Sequence, residues 1–401
     1  MQSPWLLLLL AGLPAALARP TVSTHATSDI VKGKYIVIVK PEIAAPKLNE
    51  HIGWVDDIHK RSLSRRAGAA ESGVNKVWKD TFKGYSGEFD KDTIKEINKN
   101  DDVLSVEPVR VIEIYAPKVT QTAATWGLGS ISHRAAGSRE FVYESSAGKN
   151  MWAYVVDTGV YTAHAEFEGR AFDGYNAVPD TEMQDINGHG THCAGIIASK
   201  TYGVAKQANI MAVKVLDGAS STTDIVLDGF MWAVSNITNT PGRAAKSVIS
   251  LSLGGGKSIA FNAAIDAAYK KGILVSAAAG NNNVDAALSS PGSAASAITV
   301  GATDKNNNRA SFSNYGKVVD VFAPGLAITS LGITSTTATA TMSGTSMACP
   351  HIAGLALYLK AKETLSAPGT VISRIKNLAT KNVLLSPGTG SPNLLAYNGA
   401  A

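Results

Sequence analysis

Trp152-Ala-Tyr-Val-Val-Asp157-Thr-Gly159 is an apolar run that stops at a carboxylate and a turn. Its apolar residues are continuous rather than alternating, the pattern of a strand buried on both faces in a helix-covered parallel sheet. Residues 210–215, 247–251, 273–276 and 298–300 repeat the pattern, and residues 191–199, 223–236 and 260–270 between them have helical apolar spacing. Strands interleaved with helices predict an α/β fold with a mostly parallel central sheet. Open sheets of this kind bind ligands beyond the carboxyl ends of their strands, so Asp157 stands where chemistry is expected.

Asp157-Thr-Gly alone also suits an aspartic protease, but that chemistry needs two carboxylates sharing a proton, and no second Asp-Thr-Gly or Asp-Ser-Gly occurs. His189 lies between Gly188 and Gly190 at the entry to the 191–199 helix, where glycines permit close backbone approach. Ser346, in Ser343-Gly-Thr-Ser346-Met-Ala348, opens a helix that continues to Leu359. Unpaired N–H groups and the positive end of the dipole gather at such a position. Pro350 is expected near the first turn, where it is tolerated. A lone serine there would read as a simple N-cap. In company with Asp157 and His189 it reads as a nucleophile whose proton an imidazole takes, with a carboxylate holding the imidazole tautomer. Asp, His, Ser is the subtilisin order of this triad.

These three contexts make the chain similar to the subtilisin-like serine proteases, and Trp126-Gly-Leu-Gly-Ser-Ile-Ser132 resembles the fungal branch containing proteinase K and oryzin. The resemblance implies a subtilisin-like three-layer fold in which Ser346 attacks, His189 is base and then acid, and Asp157 orients His189. It implies that Asn281, on the turn after Ala277-Ala-Ala-Gly280, is the oxyanion donor with the Ser346 N–H; neighbouring Asn282 and Asn283 read as turn residues. Substrate is expected as an extended strand between Ser252-Leu253-Gly254 and the 218–222 segment, which includes Ser220. Small uncharged walls at Ala278 and Gly280 imply a broad preference for apolar or aromatic residues before the cut. A structural calcium on Asp320 and the carbonyls of Ala295 and Ala297 is implied too, calcium preferring six to eight oxygen ligands. No cofactor is expected for the chemistry.

Rival chemistries lack their partners. His192 and Cys193 beside His189 have no further zinc-ligand pattern, and His192 reads as a packed core histidine. Gly344-Thr-Ser346-Met-Ala348 approaches the α/β-hydrolase elbow, which needs an acid and then a histidine downstream. Downstream of Ser346 come only His351 and then Glu363, in the wrong order.

Residues 1–18 read as a secretory signal peptide, with an apolar run from Trp5 to Leu10 and a small-residue close at Ala16-Leu-Ala18. Residues 19–115 read as a small α+β domain, with strands at 34–39, 77–82 and 103–114, helices at 49–63 and 91–98, and a turn at Gly84-Tyr-Ser-Gly87. The order fits a β-α-β-β-α-β ferredoxin-like unit and resembles the inhibitory propeptide of the family, the alternative being a permanent accessory domain. Residues 116–401 then form the peptidase domain. The polar, Pro-containing junction after Ile112 suits processing near Tyr115, since a cut after Ala116 would meet Pro117.

The net charge of +5 is spread thinly, without basic clusters interleaved with aromatics, which argues against nucleic-acid binding. No later stretch holds about 18 consecutive apolar residues, so no membrane anchor is expected. The two cysteines, Cys193 and Cys349, read as buried free thiols, although spacing alone leaves one bridge open. Asn236-Ile-Thr238 is the N-glycosylation sequon. The expectation is a secreted, monomeric serine endopeptidase made as an autoinhibited precursor, with protein and peptide substrates and its own propeptide as partners. The alternative is a catalytically silent relative acting as a binding protein.

Overall fold

The computed structural model describes residues 30–64, 73–110 and 118–400. The 1–18 segment and the Tyr115 junction lie outside the described residues. The chain divides into two compact units, Met1–Ile114 and Tyr115–Ala401.

The first unit runs β1 (Ile30–Val39), α1 (Ala45–Leu63), β2 (Val74–Lys79), β3 (Lys83–Glu88), α2 (Lys91–Ile97) and β4 (Val103–Arg110). Its antiparallel sheet has the order β2-β3-β1-β4, the ferredoxin-like arrangement. Val37, Val39, Leu48, Val55, Ile58, Tyr85 and Phe89 close the core between the sheet and α1. The structure corrects one expectation here. Gly84 to Gly87 is not a turn but the middle of β3, and the chain reverses at residues 80–82. A Cβ on Gly84 would sit 2.5 Å from the Val37 carbonyl, so this glycine serves close strand approach rather than reversal. Fully buried Tyr85 holds the register from the same strand.

The second unit begins with β5 (Lys118–Gln121), α3 (Trp126–Ser132) and β6 (Phe141–Glu144). Then come β7 (Trp152–Asp157), β8 (Ala171–Asn176), α4 (His189–Ala198), β9 (Asn209–Lys214), α5 (Thr223–Asn239) and β10 (Ser247–Leu251). They are followed by β11 (Gly255–Gly256), α6 (Ile259–Lys270), β12 (Leu274–Ala278), β13 (Ser289–Ser290), β14 (Ile298–Thr303) and β15 (Val321–Pro324). The chain ends with β16 (Ile328–Leu331), β17 (Thr339–Met342), α7 (Thr345–Glu363), α8 (Pro368–Leu378), β18 (Thr380–Lys381) and β19 (Leu394–Leu395).

Nine strands form the central sheet in the order β18-β19-β15-β14-β12-β10-β7-β9-β8, all parallel except the β18–β19 pair. The 152–157 run shows why it lacks alternation. Ala153 and Val155 enter the core shared with α4 and α7, whereas Tyr154 and Val156 enter the one shared with α5 and α6. The chain passes from β9 on one side of β7 to β10 on the other, so Asp157 ends the strand at a topological switch point.

Helix α7 is buried on nearly every side from Thr345 to Lys360, as a helix through the middle of a core must be. Pro350 is its sixth residue rather than part of the first turn, which corrects the expectation for that proline. Lacking an N–H, it cannot donate to the carbonyl of Ser346, four residues back. Ser252 Oγ donates to that carbonyl at 2.9 Å and Cys193 Sγ at 3.3 Å, replacing the missing helical bond.

Candidate active site

Asp157 is buried, and its Oδ1 accepts the Thr158 N–H at 2.8 Å and contacts His189 Nδ1 at 2.7 Å. The Asp157 carboxylate raises the pKa of His189 by direct attraction to the imidazolium. Nδ1 therefore carries the proton shared with Asp157 and Nε2 is left as the acceptor, the tautomer a general base requires. His189 opens α4, whose backbone begins immediately after the loop that joins it to β8.

Ser346 is the second residue of α7, and its hydroxyl donates to the Ser252 carbonyl at 2.9 Å. Asn281 comes from the turn after β12. Its Oδ1 accepts both the N–H of Thr345 at 2.8 Å and the Thr345 hydroxyl at 2.9 Å. A backbone N–H can only donate, so this bond fixes the amide orientation and leaves Nδ2 as the outward donor. A Cβ built on Gly344 would lie 3.5 Å from Asn281 Nδ2 and 3.5 Å from Ser346 N, so the two donors flank one small space that Gly344 leaves open. That pair is suited to a developing oxyanion.

A cavity of about 500 Å³ runs past Asp157 and His189, lined by residues 218–223, Ser252 to Gly256 and Phe261. A smaller one of about 190 Å³ is lined by Leu253, Gly254, Ala278, Gly280, Asn281 and Ser346. Ser220, Ser252, Leu253, Gly254, Ala278 and Gly280 thus all line the cavities beside the three central residues. Antiparallel pairing of β11 with β13 joins the 252–256 segment to the wall of the smaller cavity.

Two models of known families match the chain: the Subtilase family over residues 148–395 and Peptidase inhibitor I9 over residues 34–115. This chain belongs to the subtilase family. Alkaline protease 1 of Aspergillus clavatus is 52% identical over 400 residues, covering 99% of this chain and 98% of that protein. Alkaline proteinase of Hapsidospora chrysogena is 52% identical over 405 residues, covering 98% of each. A solved structure of a cold adapted subtilisin-like serine proteinase has a TM-score of 0.65 at 40% identity, covering 70% of this chain and all of that one. The chain is accordingly a serine endopeptidase that carries an I9-type propeptide inhibitor domain.

Other sequence expectations meet this subtilase's structure unevenly. His192 is fully buried, its Nε2 lies 3.0 Å from the Ile328 carbonyl, and burial holds its pKa down at about 4, so it is a neutral core histidine. Cys193 and Cys349 are both free and buried. Among the described residues, Asp157, His189 and Cys193 are a set of ligand-type side chains whose atoms lie within 4.8 Å of one another. Burial pushes the Cys193 thiol up, which holds it neutral, and its Sγ donates to the Ser346 carbonyl, so the set lacks the thiolate a zinc site needs.

The calcium expectation meets a competing cation. Asp320 Oδ1 lies 2.9 Å from the Lys376 ammonium, and Oδ2 accepts the Thr299 N–H at 3.0 Å. A calcium ion on Asp320 and the carbonyls of Ala295 and Ala297 would have to displace that ammonium from the single carboxylate of the set. The glycosylation sequon is helical. Asn236 Oδ1 accepts the Tyr154 hydroxyl at 2.6 Å and Thr238 Oγ1 bonds back to Val234 O at 3.0 Å, with both sequon residues inside α5. Among the described residues no helix is long and apolar enough to cross a membrane.

Sequence reasoning passed over Thr345, which orients Asn281, and Asp185, which is treated below. Asp185-Ile-Asn187-Gly188 carried a readable cue, since an Asp ahead of an Asn-Gly turn commonly bonds backbone two residues on.

Proposed function

We propose that Ser346, His189 and Asp157 are the catalytic triad of this endopeptidase, with Asn281 as oxyanion donor. The observation that carries the reading is the 2.7 Å His189–Asp157 contact next to a helix-borne Ser346 whose N–H and Asn281 Nδ2 flank one space. In the resting enzyme the Ser346 hydroxyl is parked on the Ser252 carbonyl. A change of staggered rotamer turns it toward His189 Nε2 when substrate arrives.

His189 then takes the hydroxyl proton as Ser346 Oγ bonds to the scissile carbonyl carbon. The carbonyl oxygen becomes an oxyanion held by Asn281 Nδ2 and the Ser346 N–H. His189 returns its proton to the leaving amine as the C–N bond breaks, and water repeats the sequence to release the acyl group. Asp157 stays ionised throughout and stabilises the imidazolium.

Substrate lies as an added strand between the 252–254 and 218–222 segments, which line the same cavity. The smaller cavity takes the residue before the cut. Its walls at Ala278 and Gly280 carry no charge, which supports a broad apolar or aromatic preference. The chain enters the secretory route by residues 1–18 and cuts itself near Tyr115, after which the propeptide inhibits until it leaves. The mature enzyme acts as a secreted monomer on proteins and peptides.

An active-site phosphonate should label Ser346 in processed enzyme and fail to label Ser346→Ala. Absence of label on correctly processed wild-type protein would favour the silent binding protein. Edman sequencing tests the maturation step, and a mature start at Arg19 would refute it.

A further inference from the structure

We propose that Asp185 is a positioning residue for catalysis, a buried carboxylate that locks the strand bearing Asp157 to the helix bearing His189. The proposal rests on the triad reading above.

Asp185 is 2% exposed and accepts five hydrogen bonds. Oδ1 takes the Thr158 hydroxyl at 2.9 Å, the Asn187 N–H at 3.1 Å and the Gly188 N–H at 2.8 Å. Oδ2 takes the N–H of Thr191 at 3.0 Å and its hydroxyl at 2.5 Å. Thr158 follows Asp157 in the chain, whereas Asn187, Gly188 and Thr191 bracket His189. One side chain is therefore bonded to both halves of the Asp157–His189 pair without touching either ring or reacting atom.

The geometry around it explains why a carboxylate is needed. The residue at the N-cap of α4 is Gly188, which has no side chain to cap the first turn. Its unpaired N–H groups find partners elsewhere: Asn187 Oδ1 takes His189 N at 3.2 Å, Thr158 Oγ1 takes Gly190 N at 2.9 Å, and Asp185 takes Thr191 N. The Thr158 hydroxyl is thus a relay, accepting from α4 and donating to Asp185. Thr191 Oγ1 is another, accepting the Tyr161 N–H at 2.8 Å while donating to Asp185. All five partners donate, which suits an acceptor-only carboxylate at a helix N-terminus and defeats an amide of the same shape. An asparagine in either orientation would turn its NH₂ onto at least one backbone N–H, which has only a hydrogen to offer.

Loss of this lock loosens the Asp157–His189 contact. An error of about 1 Å in a catalytic pair costs on the order of 10²-fold in rate, and substrate binding, made on other segments, is spared. A looser contact also weakens the attraction that raises the His189 pKa, so the acid limb of the pH profile moves down.

The test uses processed enzyme carrying Asp185→Asn or Thr191→Val, and Ser346→Ala with its propeptide removed in trans by a separable protease, with kcat and KM measured from acid to alkaline pH. The proton NMR resonance of His189 Nδ1–H is followed alongside. Asp185→Asn is expected to lower kcat on the order of 10²-fold with KM within about twofold, to shift the acid limb to lower pH and to broaden or move the resonance. Thr191→Val, which removes the hydroxyl's bonds to Asp185 and to the Tyr161 N–H and keeps the charge, should do the same about tenfold more weakly, and it decides the matter alone if Asp185→Asn does not fold. Wild-type kcat, acid limb and resonance with only a lower melting temperature would overturn the proposal and leave Asp185 a structural residue. Activity retained by Ser346→Ala would instead sink the triad reading itself.

Discussion

The carbonyl of Ser346, deprived of its helical donor by Pro350, is held by the Ser252 hydroxyl at 2.9 Å. The same two residues are joined a second time, because the Ser346 hydroxyl donates to the Ser252 carbonyl at 2.9 Å. The proline in the helix and the serine on the substrate segment are therefore one device. Ser252→Ala should destabilise the phosphonate-inactivated enzyme by about 1–3 kcal/mol, the cost of a buried carbonyl losing its main donor. Pro350→Ala should restore an N–H to that carbonyl and reduce the cost of Ser252→Ala. Thermal melts of the two single variants and the double variant measure the coupling, and strict additivity would show that the two residues are independent.

The pH dependence follows from the Asp157–His189 contact. Asp157 raises the His189 pKa, so below it the imidazole is protonated and cannot accept the serine proton. Activity should rise with pH as His189 deprotonates. Asp157→Asn removes the attraction, so the acid limb should move to lower pH. Its plateau should fall about 10⁴-fold because the tautomer is no longer held. A pH series of kcat/KM on both enzymes checks this, and an acid limb that stays in place or moves upward would contradict it.

Much of this molecule was legible because the relevant information is local. The 152–157 run declares a doubly buried strand, and its alternate residues do fill two different cores. The contexts of Asp157, His189 and Ser346 are likewise short. What escaped was set by partners far along the chain. Gly84 looked like a turn because its close neighbour, the Val37 carbonyl, belongs to another strand. Pro350 was expected near the first turn because its compensation deeper in the helix comes from Ser252, far back in the chain. The resemblance gave Asp320 as a calcium ligand, and its ion-pair partner Lys376, 56 residues on, has no local sign in the sequence. Asp185 escaped for another reason: the Asn187-Gly188 turn was its one readable cue, and its other partners are a backbone N–H group and hydroxyls, which have no sequence pattern of their own.

The Asp320–Lys376 pair predicts how the enzyme responds to chelators. An ammonium held at 2.9 Å supplies the positive charge a calcium ion would otherwise bring. The melting temperature of inactivated enzyme should therefore be the same with and without chelator, since nothing bound there is removed. Lys376→Ala should cost no more than about 1 kcal/mol, as is usual for a partly exposed pair. A clear drop in melting temperature in chelator would reinstate the calcium site.

Gly344 offers the sharpest separation of catalysis from folding. A methyl group there would meet Asn281 Nδ2 and Ser346 N at 3.5 Å, ordinary van der Waals contact, so Gly344→Ala should fold and melt like wild type. Its φ of 162 is extended backbone that alanine adopts without strain. Yet an oxyanion must sit 2.7–3.1 Å, or about 3 Å, from those same donors, and the methyl group would share its place. Gly344→Ala should thus lose about 10²–10³-fold in kcat, as expected for removing Asn281 by Asn281→Leu. Combining the two should cost little more than either, because both abolish one interaction. Full activity in Gly344→Ala would mean that the oxyanion forms elsewhere, and independent, multiplying losses would mean that Gly344 and Asn281 act on different steps.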